Sequence, residues 1–383
     1  MNLKKTLLIL PTLALALGAA AATPKYAWRG MHLDEARHFF GKETVKKFLD
    51  RMAQDGFNVF HWHLTDDQGW RVQIDRYPNL TVRGAQRELV ADWRPHPCWF
   101  DERTSGTYGP YFYTKADIRE IVAYAKERGI RVVPEFDIPG HSLAALASYP
   151  HLCCFPEMVK DQRTFIHPGF NVPGKNMRTY CLGSDEAVKF LENVFDEVCA
   201  LFPDEVIHLG GDEAPQGNWK VCPKCQARMK ALGLKNESEL QGWFVNHFID
   251  YVCAKGKRAM GWSEITIGKA DPKKVIAQVW HKPQGAVELA RAGYDIVMSP
   301  SDYCYLDNSP GIPGDTMKYF LTKVVSLEKV KTFDPIALSG MPPELQGRIL
   351  GGECCNWTEC TPNADQLFRK AWPRATAFAE RLK

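Results

Sequence analysis

Two carboxylates stand side by side at Asp212 and Glu213, directly after Gly210-Gly211. Neighbouring side chains on a regular strand point to opposite faces, so both can enter one site only if the backbone leaves the pleat there. The glycine pair permits that departure and a close approach of backbone. Two carboxyl groups near one reacting bond divide their roles when their surroundings differ. The one in the more apolar setting keeps its proton and acts as an acid, and the other stays ionised. Cleavage of a glycosidic bond needs that division. The chain also carries 11 Trp. A sugar ring has an apolar face that packs on an aromatic ring and hydroxyls that bond to carboxylates and Arg. Tryptophans beside carboxylates therefore make carbohydrate the leading substrate class.

The elements that must position these groups are short apolar or β-branched runs followed by amphipathic stretches. Strands are predicted at Trp28–Leu33, Asn58–His63, Arg131–Phe136, Val206–Leu209, Arg258–Trp262, Val275–Val279, Asp295–Met298 and Arg348–Gly351. Helices are predicted at Lys42–Gln54, Lys115–Arg128, Ser184–Leu201, Ser238–Lys255 and Gln284–Ala292. Thr114 and Ser184 are placed to cap, and Gly129 and Gly256 fall where a helix should stop. This alternation predicts a single α/β domain, a (β/α)8 TIM barrel, with a doubly wound sheet as the alternative. In a barrel, chemistry sits just past the C-terminal ends of the strands. Nearly every predicted strand delivers a carboxylate, histidine or tryptophan there: Asp34, His61-Trp62-His63 with Asp66 and Asp67, Asp137 and His141, Asp212-Glu213, Trp262, Trp280, and Glu353 with Trp357 and Glu359. Any one of these alone is more simply a paired charge or a core aromatic. Seven strands converging at one rim are not explained that way.

The composition sets bounds. A chain of 383 residues, 45% hydrophobic and 24% charged, has ample core for a globular domain. A net charge of +3 argues for neither nucleic acid nor an anionic membrane as partner. Residues 1–22 read as a secretory signal peptide, with Lys4 and Lys5 before an apolar run too short to span a membrane. The expected location is secreted or periplasmic, and the barrel is expected over 23–383. Of the 12 cysteines, Cys153 or Cys154 could pair with Cys181 across an excursion of the chain. Cys222 and Cys225 have a spacing open to a local disulfide, a structural metal or free thiols.

Several segments carry a family resemblance: Arg29-Gly-Met-His-Leu-Asp34, Phe60-His-Trp-His-Leu-Thr-Asp-Asp67, Pro134-Glu-Phe-Asp-Ile-Pro-Gly-His141, His208-Leu-Gly-Gly-Asp-Glu213, Tyr305-Leu-Asp307, Gly352-Glu353 and Trp357-Thr-Glu359. In these the chain resembles the β-N-acetylhexosaminidases of glycoside hydrolase family 20. The resemblance implies an exo-acting, retaining enzyme that removes terminal β-linked N-acetylglucosamine or N-acetylgalactosamine, with the substrate's acetamido oxygen as nucleophile and an oxazolinium intermediate. By position, Glu213 resembles the acid and base, Asp212 the carboxylate that orients the acetamido group, and Tyr305 the hydroxyl donor to its oxygen. Arg29 and Glu359 resemble sugar-hydroxyl ligands, with Asp307 near them or near the leaving group, and Trp262, Trp280 and Trp357 resemble the apolar walls. Asp66, rather than Asp67, with His141 and Asp137 resembles a supporting shell. No cofactor or catalytic metal is implied, and the partner is a glycan.

Many members of that family carry a small α+β domain before the barrel, and here the first barrel motif begins close to the expected cleavage site. A second subunit, the insertions around Leu89–Tyr113 and Ser299–Leu345, or nothing would take its place, so homo-oligomerisation is open. Two rivals remain at this level. One is a metal-dependent barrel hydrolase using His61 and His63 with His208 and Asp66. The other is a non-catalytic glycan-binding barrel.

Overall fold

Along each predicted strand the inward and outward residues separate with period two. In the computed structural model, which describes residues 24–90, 105–159, 171–172, 175–176, 178–319 and 323–383, this builds a closed barrel. Its eight parallel strands are β1 (Trp28–Asp34), β2 (Val59–His63), β3 (Arg131–Glu135), β4 (Val206–His208), β5 (Arg258–Trp262), β6 (Val275–Val279), β7 (Asp295–Met298) and β8 (Ile349–Cys354). Each pairs with its chain neighbour, and β8 closes on β1 through Trp28–Gly351 and the three pairs that follow. That closure excludes the doubly wound alternative. The expected signal peptide, residues 1–22, lies outside the described residues.

Outward side chains such as Met31, Phe60, Trp62, Val132 and Ile296 join one core with the surrounding helices. Helix α1 (Lys42–Asp55) buries Val45, Phe48, Leu49 and Met52, one stripe at three- and four-residue spacing. Burying each such side chain fully is worth roughly 1.5–3 kcal/mol. Helix α2 (Lys115–Lys126) starts in a reciprocal capping box between Thr114 and Asp117. Helix α3 (Asp185–Leu201) is capped by Ser184. Between β4 and β5 lie α4 (Pro223–Leu232) and α5 (Glu237–Ala254), the latter capped by Asn236.

The barrel interior is layered. Trp28, Val59, Val133, Val206, Met260, Ile276 and Val297 form a separate apolar cluster near the strand starts. Further along the strands come His32, His61, Glu135, His208, Gln278 and Glu353, all buried. Two residues further again come Asp34, His63, Asp137 and Trp280, which reach the C-terminal rim. Polar side chains in the middle layer gather around two carboxylates, Glu135 and Glu353. Glu353 takes His61 Nδ1 at 2.6 Å, Gln278 Nε2 at 2.9 Å and Trp28 Nε1 at 3.1 Å.

The first insertion begins as an antiparallel hairpin, Arg87–Val90 with Ser105–Tyr108. Its Arg87 donates to the Arg37 carbonyl at 2.6 Å, and the Tyr108 hydroxyl accepts from the Phe39 N–H at 2.7 Å. The second insertion folds into short helices at Ser301–Cys304, Leu327–Lys331 and Pro335–Ser339. Among the described residues no helix is long and apolar enough to cross a membrane.

Candidate active site

At the C-terminal rim the barrel opens into a cavity of about 360 Å³. This is the small end of the range for ligand sites. Past β4 the backbone turns left-handed at Gly210 (φ 67°) and Gly211 (φ 105°), and again at Glu213 (φ 43°). A Cβ at Gly210 would stand 1.9 Å from Asp137 Oδ1, and that carboxylate accepts the Gly211 N–H at 3.2 Å. The departure from the pleat brings Asp212 and Glu213 into one cavity. Their settings differ: the Asp212 side chain is 12% exposed and that of Glu213 57%. Burial pushes the Asp212 carboxyl up to about 7, against the pull of the neighbouring His141 charge.

His141 sits beneath both, its Nε2 3.8 Å from Asp212 Oδ2 and 3.7 Å from Glu213 Oε2. Its Nδ1 is 3.1 Å from Asp66 Oδ1. Burial alone would lower the imidazole, but the Asp66 charge outweighs it and raises His141 to about 9. Asp66 also receives Arg37 Nη2 and His63 Nε2, each at 2.9 Å. These cations hold its buried carboxyl well below the usual range. Asp67 turns away to the Arg178 guanidinium and the Leu143 N–H, so Asp66 is the member of that pair that faces the site. Below, Glu135 gathers His63 Nδ1 at 2.5 Å, Trp262 Nε1 at 2.8 Å, and His61 Nε2 and His208 Nδ1 at 3.1 Å each.

The closed end is built on Arg37, which pairs with Asp34 at 3.0 Å and Glu359 at 3.4 Å and lies 5.2 Å over the Trp357 ring. Asp307 and Tyr305 complete it. Burial raises Asp307 to about 7 and keeps the Tyr305 hydroxyl firmly protonated. Asp212 Oδ1, Asp307 Oδ1, Glu359 Oε2 and Trp357 Nε1 are buried with no hydrogen-bond partner among the described residues. Unpaired buried polar atoms are costly, and their concentration in one cavity marks a ligand that would pair them.

Most of the expected residues therefore meet: Glu213, Asp212, Tyr305, Trp280, Asp307, Trp357, Glu359, Asp66, Asp137 and His141 all line the cavity. Two do not. Arg29 lies near the start of β1, where its guanidinium donates to the Gly56 and Tyr26 carbonyls at 2.8 Å each. Five residues before Asp34, it is roughly 17 Å away at the opposite end of the barrel. Arg37 fills the place expected for it, three residues beyond the strand end. Trp262, 1% exposed, lies beneath the wall, holding Glu135 and packing on Trp357 at 5.7 Å. His63, weighed above only as a metal ligand, also lines the cavity, as do His281 and Lys323. The spacing Asp34 to Arg37, just past a strand end, was the available signal for the arginine. Neither Cys153 nor Cys154 is bridged to Cys181, and of the alternatives left open for Cys222 and Cys225 the local disulfide is not formed.

The sequence profile "Glycosyl hydrolase family 20, catalytic domain" matches residues 26–382. The chain is 37% identical over 358 residues to a beta-hexosaminidase of Porphyromonas gingivalis, covering 93% of this chain and 43% of that protein. It is also 37% identical to a beta-hexosaminidase of Vibrio furnissii, covering 93% and 56%. Among solved structures it is similar to a GH20 exo beta-N-acetylglucosaminidase from Vibrio harveyi in complex with N-acetylglucosamine. There the TM-score is 0.79 and the identity 34%, over 94% of this chain and 55% of the other. The chain thus spans about half the length of these relatives.

Proposed function

The chain belongs to glycosyl hydrolase family 20, and from that premise we propose that it removes terminal β-linked N-acetylhexosamine from glycans, with the substrate's acetamido oxygen as nucleophile. The observation that carries this reading is the pair of consecutive carboxyl groups in one cavity; burial by itself marks Asp212 as the proton holder of the empty pocket, and it is the family resemblance that assigns the acid to the half-exposed Glu213. In an empty pocket burial favours neutral Asp212. An acetamido N–H at its free Oδ1, and positive charge growing on the sugar, both favour the carboxylate. The Tyr305 hydroxyl donates to the acetamido oxygen and turns it toward C1. As that oxygen bonds to C1, the glycosidic C–O bond breaks and Glu213 gives its proton to the departing oxygen. Glu213, now ionised, takes a proton from water. The water oxygen bonds to C1, the C1–acetamido oxygen bond breaks, and the sugar leaves with retained configuration. His141, held charged by Asp66, steadies Glu213 through this cycle of charge. Arg37, Asp307 and Glu359 are placed for the sugar hydroxyls, and Trp280 and Trp357 for its apolar face.

The metal-dependent rival is disfavoured by His61, which is fully buried below the cavity between Glu353 and Glu135. Residues 1–22 support action outside the cytoplasm, which amino-terminal sequencing of the exported protein checks. The deciding experiment compares nitrophenyl N-acetyl-β-glucosaminide and N-acetyl-β-galactosaminide with plain β-glucoside, adding a thiazoline mimic of the oxazolinium ion. Turnover of the acetamido sugars alone, blocked by the thiazoline, is expected. Equal rates on the plain glucoside would overturn the mechanism, and binding without turnover would favour a glycan-binding barrel.

A further inference from the structure

Away from the cavity, cysteines from three chain segments meet. Cys154 follows the turn Pro150–Leu152, Cys181 follows Tyr180, and Cys222 and Cys225 open α4. Their four sulfurs all lie within 4.8 Å of one another. Cys181 is 3.7 Å from Cys222 and 3.8 Å from Cys225, and Cys154 is 3.8 Å from Cys225. Disulfide sulfurs lie about 2.05 Å apart, so these are not bridged. An ion about 2.3 Å from each of four tetrahedral thiolates, the bond length of zinc, sets the sulfurs about 3.8 Å apart.

One of the three segments brings a helix N-terminus to the group. Cys222 is the N-cap of α4 and Cys225 its third residue, at the positive end of the helix dipole. Cys181, Cys222 and Cys225 are buried and Cys154 is half-buried, so four protein ligands enclose the centre. The neighbouring Cys153 stays out of the group, its sulfur accepting the Phe155 N–H at 3.2 Å. Close approach of the segments is also built in: a Cβ at Gly183 would stand 2.2 Å from the Lys224 carbonyl carbon.

We propose that Cys154, Cys181, Cys222 and Cys225 bind one zinc ion as a closed tetrathiolate site. Four S–H protons leave as four S–Zn bonds form, with no change of oxidation state. A site with no open position is structural rather than catalytic. It joins the loop that follows β3 to the segment that follows β4. Tyr180, beside Cys181, donates its N–H to the Pro139 carbonyl at 3.1 Å and accepts Trp219 Nε1 at 3.0 Å. Pro139 precedes His141 by two residues, and Trp219 lies between Glu213 and Cys222. The ion would thus lock together the two loops that carry His141 and Glu213.

The test is a cobalt(II) titration of the full-length protein, reduced and freed of metal, followed by zinc(II). One cobalt per chain is expected, with the intense visible bands and thiolate charge-transfer absorption of a tetrahedral tetrathiolate, bleached by one equivalent of zinc. Cys154→Ser should abolish that spectrum and weaken zinc retention by roughly tenfold or more. If that variant does not fold, alkylation mapping of the unmodified chain decides. The four cysteines should resist iodoacetamide with zinc bound and react once a chelator is added. Folded protein that gives only a weak octahedral cobalt spectrum would overturn the proposal. So would a peptide map of the exported protein that joins these four cysteines as two disulfides.

Discussion

Glu213 and Asp212 differ by one position in the chain and by most of their exposure, and that difference separates their expected variants. Glu213→Gln keeps the shape and removes the proton, so kcat on natural glycans should fall by roughly 10²–10⁴ while glycan binding persists. Turnover at the unmodified rate would remove Glu213 from its role. Asp212 sets the acid limb of the pH profile. Burial holds its carboxyl up to about 7 in the free enzyme, so it takes up a proton as pH falls through that value. Only the carboxylate carries the charge that offsets the positive charge growing on the sugar, so kcat/KM should drop about tenfold per pH unit below 7. His141 remains charged up to about 9 and pulls Asp212 down. His141→Gln removes that charge, and the acid limb should move to higher pH; a limb fixed in place would mean that another group sets it. Arg37 and Arg29 give a matched contrast. Arg37→Lys keeps the charge but loses the planar fork that spans Asp34, Asp66 and Glu359, and kcat/KM should fall by roughly 10². Arg29→Lys, at the far end of the barrel, should leave it within about twofold.

At the scale of elements, the eight strands were legible within a few residues because a buried parallel strand is a short β-branched or apolar run. The caps at Thr114 and Ser184 were legible for an equally local reason. Arg37 was not, because it lies in an irregular segment past the strand, where no periodicity says which way a side chain turns. Helix α4 was missed because it is polar and buries only Cys225 and Met229. The convergence of Cys154 and Cys181 with it depends on loops whose paths no local pattern encodes. The expectation that Gly210-Gly211 frees the backbone gives a test on the element itself. Gly210→Ala must adopt a left-handed backbone and displace Asp137, so a loss of at least about 1–3 kcal/mol is expected, together with most of the activity. Gly129 has a similar φ of 69° with open space around it. Gly129→Ala should cost about 1 kcal/mol in urea unfolding and leave kcat unchanged. Equal effects on kcat at the two positions would separate the turn after β4 from the chemistry.

For the whole molecule, two kinds of metal dependence have to be kept apart. A barrel that used His61, His208 and Glu135 for a catalytic ion would lose activity on chelation while remaining fully folded, because both imidazoles already lie 3.1 Å from Glu135 and His61 is also bonded to Glu353 in the middle layer. A tetrathiolate outside the barrel acts the other way. Its loss removes a tie between two loops, and binding energy present only in the folded state is folding energy. Prolonged chelation of the reduced protein should therefore lower the melting temperature by several degrees. Hydrolysis of the N-acetyl-β-glucosaminide at 25 °C, well below the melt, should persist, because the Gly211 N–H bond to Asp137 and the Tyr180 N–H bond to the Pro139 carbonyl still hold those loops without the ion. Activity lost at an unchanged melting temperature would place a metal in the reaction and refute the assignment of nucleophile to the substrate. Thermal denaturation and turnover measured on the same chelated sample distinguish the two, since one ion stabilises the molecule and the other would be needed at the reacting bond.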